Sequence, residues 1–232
     1  MCIAINSPKG TEPTKSALKE SFINNPHGGG FAYAKKNKII VKKGFETFKD
    51  FYAEYKNANI QGLNKLIHFR IKTSGKINYD NCHPFYVTAN LVMIHNGIIP
   101  NFGNDEVSDT REFISMVLKP IILKHGINIL NNPTFINTIE DIIGGSKLVF
   151  LDNLGNTYYV NKDLGHDNNK IWYSNDSYMN YTQYYIESDN SYEFDSCKLC
   201  NDCGQIMDKS VDLTYCEECN EYDKIYNPYH FN

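Results

Sequence analysis

The sequence predicts an α+β domain built in layers, followed by a small cysteine-rich module. Three observations carry this. Strand and helix patterns come in blocks, without the regular alternation of a doubly wound parallel sheet. Several strands are joined by hairpin signals. Composition changes near residue 187, where an acidic polar stretch, "ESDNSYEFDS", leads into a short segment rich in cysteine. The expected division is a first domain over 1–186, a linker over 187–196 and a module with its tail over 197–232.

The elements follow in order. "CIAI" is a short apolar run and reads as a buried strand. "EPTKSALKESFI" has helical spacing, with Pro13 and Thr14 near its start. "NPHGGGFAYA" is a glycine-rich turn entering an alternating strand, and "KIIVKK" is its hairpin partner, turned at Lys36 and Asn37. "TFKDFYAEYKN" is an amphipathic helix. "NKLIHFRIKT" and "NLVMIHNG" are strands that end in polar loops. "SDTREFISMVLKPIILKHG" opens a helix at Ser108 and Asp109 and closes it at Gly126. "TFINTIEDII" is a further helix. "KLVFLDNLGNTYYVN" is a hairpin turned at Asn153 to Asn156, and "KIWYSNDSY" is the last strand of the domain.

The 232 residues, 41% of them hydrophobic, suffice for one well-sized core and a small module. A formal charge of −4 argues against a general electrostatic grip on nucleic acid. No apolar run has the length of a membrane span. The N-terminus lacks a basic stretch followed by an apolar one, so no secretory signal is expected. A cytoplasmic, reducing location follows as the expectation. The seven cysteines then read as thiols or metal ligands.

Four remote segments carry candidate chemistry. Cys2 stands directly behind the initiator methionine. If Met1 is removed, Cys2 gains a free α-amine with a pKa near ~8, close to its own thiol near ~8.5. That amine can serve as base to the thiol. The alternative is a buried strand cysteine. In "HFRIKTSG", Arg70 lies at a strand end where a guanidinium can fork onto a carboxylate, and Thr73 belongs to the loop beside it. Otherwise Arg70 is a surface ion-pairing residue. In "IHNG", the Asn96 amide and the Gly97 N–H can converge on one oxyanion. The same pair is also a turn signal. Asp109 in "SDTREF" either binds an ammonium group or stabilises the start of a helix.

In order and approximate spacing this set resembles the class II glutamine amidotransferases, whose glutaminase domain is an N-terminal nucleophile hydrolase. "HFRIKTSG" is similar to the family's "HTRWATHG", "NCHPF" at 81–85 to its "N-x-HP", and "YSNDS" at 173–177 to its late "ASD" turn. The resemblance covers about residues 2–180. It implies a four-layer αββα sandwich with Cys2 on an inner strand. It also implies that Arg70 and Thr73 hold the α-carboxylate of L-glutamine and Asp109 its α-ammonium. Cys2 would be the nucleophile and Asn96 and Gly97 the oxyanion hole, with no cofactor needed for catalysis. Two positions depart from the family: Ile71 replaces a tryptophan, and Ser74 replaces a histidine. Family members commonly carry a synthase domain, for which the remaining residues leave no room. A separate ammonia-accepting enzyme is therefore the expected partner. An alternative is a catalytically silent fold that binds or regulates through the cysteine-rich module. An N-terminal nucleophile hydrolase acting on another amide is a third.

That module holds Cys200-x₂-Cys203 and Cys216-x₂-Cys219, twelve residues apart. Four thiolates at this spacing suit a closed tetrahedral Zn²⁺ site of structural type. Cys197 is an alternative to Cys203, which is preferred for the turn-forming Gly204 behind it. So small a module cannot build a core, and zinc is expected to supply its folding energy. Cys82 is expected to be an ordinary thiol, and His83 and His95 structural residues of their motifs.

Overall fold

The computed structural model describes residues 2–179, together with the backbone of 197–199 and 206–208. Two antiparallel sheets form its frame. The larger contains β1 (Ile3–Ser7), β2 (Gly29–Lys35), β3 (Lys38–Phe45), β4 (Lys65–Phe69), β9 (His166–Asn168) and β10 (Ile171–Tyr173), in the order β3-β2-β4-β1-β10-β9. The smaller contains β5 (Phe85–Thr88), β6 (Leu91–Asn96), β7 (Lys147–Asp152) and β8 (Thr157–Val160), in that order. Helices α1 (Lys15–Asn24) and α2 (Phe48–Asn57) follow the first strands. Helices α3 (Asp109–Phe113), α4 (Lys119–His125) and α5 (Pro133–Ile143) fall between β6 and β7.

The side-chain period of two along each strand sorts residues into three apolar clusters. Ile3, Ile5, Ile67 and Phe69 of the larger sheet pack with Leu18 and Phe22 of α1 and with Phe51 and Tyr55 of α2. Met93, Leu148 and Phe150 of the smaller sheet pack with Phe113, Ile122 and Ile139 of its helices. Between the sheets lie Ala4, Ala32, Leu66 and Trp172 from one, and Val92, Ile94, Val149 and Leu151 from the other. The order through the molecule is therefore helices, sheet, sheet, helices. Small residues on the larger sheet let the two inner faces approach. At Gly30, an added Cβ would lie 2.2 Å from the His83 carbonyl oxygen. A side chain there would push the His83 segment off the sheet.

Local signals explain the element ends. Thr14 caps α1 by accepting the Ala17 N–H, and Thr47 caps α2 by accepting that of Asp50. Asn132 caps α5, with Pro133 as its first residue and Gly144 beyond its end. Lys36 and Asn37 both take left-handed backbone, as a tight hairpin between β2 and β3 requires. The β7–β8 hairpin also forms where expected, and the Asp152 carboxylate accepts the Leu154 and Asn156 N–H groups in its turn.

The structure differs from the sequence expectation in two respects. The helix expected over 108–126 is divided by a π-helical turn over Ile114–Leu118. Pro120 lies in the first turn of α4, where its missing N–H breaks the i→i−4 ladder, and the wider turn absorbs the defect. Strands β5 and β9, which were not expected, pair with β6 and β10. In the cysteine-rich segment, Cys197–Leu199 (β11) and Ile206–Asp208 (β12) pair antiparallel. Cys200, Cys203, Cys216 and Cys219 lie outside the described residues.

Aromatic packing ties α2 to the larger sheet. Phe51 is fully buried, with ring centroids 4.6 Å from Phe69 and 5.8 Å from Phe31. Phe51→Ala is expected to lower the unfolding free energy by about 3–5 kcal/mol, with an unchanged denaturant slope in urea. A loss below about 1 kcal/mol would show that this contact does not hold the outer helix.

Candidate active site

The inner faces are apolar along most of their length and turn polar at one end. Cys2 follows the alternation of β1 onto the Ala4 side. Asn96 ends β6 on the Val92 and Ile94 side. The Cys2 carbonyl accepts a hydrogen bond from Asn96 Nδ2 across the two sheets, and a second from Asn175 Nδ2 at 2.7 Å. Cys2 Sγ lies 3.3 Å from both the N–H and the carbonyl of Ile71. Burial pushes the Cys2 thiol up, while the Ile71 N–H and the Arg70 guanidinium oppose that shift.

Cys2, Arg70, Thr73, Gly97 and Asp109 line one narrow cleft. Four segments remote in sequence meet there. The turn before β2 holds the Arg70 backbone: Arg70 N–H donates to Gly28 O, and His27 N–H to Arg70 O, both at 2.8 Å. The Arg70 guanidinium then donates to Ser74 O at 2.7 Å and to Lys76 O at 3.0 Å, curling the following loop around itself. A guanidinium has five N–H donors, and the bonds to Ser74 and Lys76 among the described residues use two of them.

Asp109 is buried at the start of α3, capped by Ser108. Its Oδ2 accepts the Ile99 N–H, and its Oδ1 accepts the N–H and hydroxyl of Thr110. A carboxylate accepts about four hydrogen bonds, which leaves room for one more donor. Gly97 takes φ +143°, and a Cβ there would lie 2.2 Å from Ser146 Oγ. Only glycine lets this loop turn so tightly beside the cleft. The Asn96 amide does not line the cleft. It sits behind Cys2, with one of its two N–H groups on the Cys2 carbonyl.

Three residues that hold the site together carried no assigned role in the sequence reading. Ser74 Oγ accepts the Asp109 N–H at 3.0 Å, so this serine links the loop after β4 to α3. Asn81 is fully buried; its Nδ2 donates to Lys76 O and Glu106 O, and its Oδ1 accepts from Ser108 N–H and Arg111 Nη1. Asn175 supports the Cys2 carbonyl. Asn81 and Asn175 stand inside "NCHPF" and "YSNDS", so the signal present was motif membership without a role.

Three buried histidines lie beside the cleft. The His83 ring is 4.1 Å from that of His68 and 6.3 Å from that of His95, measured between centroids. Burial pushes all three below the ordinary imidazole range, His68 to about 3 and His95 to about 4. Among the described residues, no group of histidine, cysteine or carboxylate side chains is arranged to hold a metal ion. No helix of the described residues is long and apolar enough to cross a membrane.

No family model matches the chain. Over 88 residues the chain is 32% identical to a glutamine–fructose-6-phosphate aminotransferase (isomerizing) from Helicobacter pylori strain J99. That match spans 38% of this chain and 15% of the relative. A solved structure, glutamine phosphoribosylpyrophosphate amidotransferase from B. subtilis, aligns with 75% of this chain and 41% of its own, at 14% identity and a TM-score of 0.45. Over the matched stretch, then, the chain is similar to a glutamine-dependent aminotransferase, of which it spans a small part.

The buried histidines make stability depend on pH. They are neutral in the fold, whereas an unfolded imidazole takes a proton near ~6.5. Below that pH the unfolded chain binds more protons, so stability falls with acid until the folded values, about 4 for His95 and about 3 for His68, are reached. The urea midpoint is expected to drop as pH falls from ~6.5 towards ~4, and to drop less steeply in His68→Gln. Identical slopes in both proteins would contradict the buried neutral state.

Proposed function

We propose that this chain is a glutamine amidotransferase subunit that hydrolyses L-glutamine to glutamate and ammonia. The observation that carries the reading is the convergence of Cys2, Arg70, Thr73, Gly97 and Asp109 on one cleft. Arg70 offers the N–H donors that no described residue takes to an α-carboxylate, beside Thr73, and Asp109 offers an acceptor site to an α-ammonium. A cleft with both groups selects a free amino acid over a peptide.

In this mechanism Met1 is removed and the Cys2 α-amine takes the thiol proton. Sulfur attacks the side-chain amide carbon of glutamine. The oxyanion is stabilised by the Gly97 N–H and by the second N–H of Asn96, whose amide must turn from behind Cys2 into the cleft as substrate enters. The α-amine returns the proton to the leaving nitrogen, the C–N bond breaks, and ammonia departs. Water then cleaves the γ-glutamyl thioester and releases glutamate. The Ile71 backbone, which meets Cys2 Sγ on both sides in the structure, must yield as substrate enters.

We further propose that the ammonia passes to a separate acceptor enzyme. The relative matched over part of its length is by its name an aminotransferase, and the match spans 15% of it.

Kinetics of variants test the reading. Cys2→Ala is expected to abolish glutamine hydrolysis. Asn96→Ala is expected to lower kcat about 10²–10³-fold. Arg70→Ala is expected to act mainly through KM. Normal turnover in Cys2→Ala would overturn the mechanism.

The cysteine-rich segment, in this reading, folds around one structural Zn²⁺ held by Cys200, Cys203, Cys216 and Cys219, supported by their spacing. Metal analysis is expected to find about one zinc per chain, lost in a Cys200→Ser/Cys216→Ser variant. Metal-free protein after purification without chelators would contradict it.

A further inference from the structure

His83 and His95 line the same cleft as Cys2, and both are buried. Their partners define what they can still bond. His95 Nδ1 lies 2.8 Å from Thr110 Oγ1, and that hydroxyl donates to Asp109 Oδ1. Since the Thr110 proton goes to the carboxylate, Thr110 oxygen must accept, and His95 Nδ1 carries the N–H. His95 Nε2 is then a bare acceptor. It has no partner among the described residues. Similarly, His68 Nε2 donates to the His95 carbonyl at 2.9 Å, which fixes the His68 ring beside His83. Neither ring nitrogen of His83 has a partner among the described residues.

A neutral imidazole offers one donor and one acceptor. Burial keeps all three rings neutral, with His83 further opposed by the charge that its histidine neighbours and Arg70 would carry. Each buried polar group left without a partner costs about 1–3 kcal/mol. Such groups are ordinarily satisfied by a buried water with two to four polar contacts. The donor of His83 and the acceptor of His95 suit one small neutral molecule that both gives and takes a hydrogen bond.

We infer that His83 and His95 are positioning residues that hold a water in the cleft as the nucleophile for deacylation of the Cys2 thioester. The inference rests on the amidotransferase reading and adds to it the means by which the second half-reaction is directed. The water donates one hydrogen to His95 Nε2 and accepts the His83 N–H. One lone pair stays free for the thioester carbonyl carbon. As the C–O bond forms, the second water hydrogen passes to the Cys2 α-amine. The C–S bond then breaks, the proton goes to the departing sulfur, and glutamate leaves. The imidazoles are neutral hydrogen-bonding groups here and carry no proton away.

The test separates acylation from deacylation. In His83→Leu, labelling of Cys2 by diazo-oxo-norleucine is expected to keep its wild-type rate within about twofold, while kcat falls on the order of 10–100-fold. The γ-glutamyl adduct on Cys2 is expected to accumulate in acid-quenched samples. Hydroxylamine, which needs no water site, is expected to restore turnover as γ-glutamyl hydroxamate, and His83→Gln to retain more activity than His83→Leu. Deacylation at the wild-type rate, or equal losses in both half-reactions, overturns the inference. Wild-type protein that neither labels nor consumes glutamine overturns the amidotransferase reading, and this inference with it. If His83→Leu does not fold, a high-resolution crystal structure of the wild type decides. An ordered water within about 3.2 Å of His95 Nε2 and a His83 nitrogen supports the site, and its absence overturns it.

Discussion

The hydrogen bonds converging on the Cys2 carbonyl hold the rest of the site in place. One comes from Asn96 at the end of β6 and one from Asn175 after β10. They tie the end of β6 and the segment after β10 to a single atom just before β1. The residue that follows, Ile3, enters a strand paired on both sides, by β4 and β10. The carbonyl is thus fixed from three elements, and the thiol extends from it towards the Ile71 backbone. The first residues of a domain are otherwise among those most prone to fray.

The second constraint is the network that connects Arg70 to Asp109 within the cleft lining. Arg70 spends two donors on the loop that follows it, and the serine of that loop accepts the Asp109 N–H. Asn81 then bonds both the loop and the start of α3. The cation and the anion are therefore spaced by a hydrogen-bonded network and not by direct contact. Ser74 carries both links: its carbonyl accepts from the Arg70 guanidinium and its hydroxyl from the Asp109 N–H.

Much of this was legible in the sequence, and for physical reasons. The proposed chemistry would restrict residue type at Cys2, Arg70, Asn96, Gly97 and Asp109, and the structure brings all of these but the Asn96 amide into the cleft lining. Caps and turns at Thr14, Ser108 and Asn37 were readable because they bond to neighbours within a few residues. Asn81 and Asn175 were not readable, because their partners lie far away in sequence and an asparagine carries no sign of which carbonyl it will meet. Strand β5 is four residues long with a register shift, too short to show a period. The roles of His83 and His95 depend on which ring nitrogens are already bonded, and only the folded structure supplies that.

The proposed function reduces to one claim, that Cys2 is an activated thiol beside an amino-acid pocket. The most direct measurement is intact mass and peptide mapping after exposure to diazo-oxo-norleucine, with free glutamine as competitor. The account predicts one adduct per chain, on a Cys2 that has lost Met1, formed more slowly when glutamine is present. An adduct on Cys82 or elsewhere, no adduct, or labelling indifferent to glutamine would contradict it.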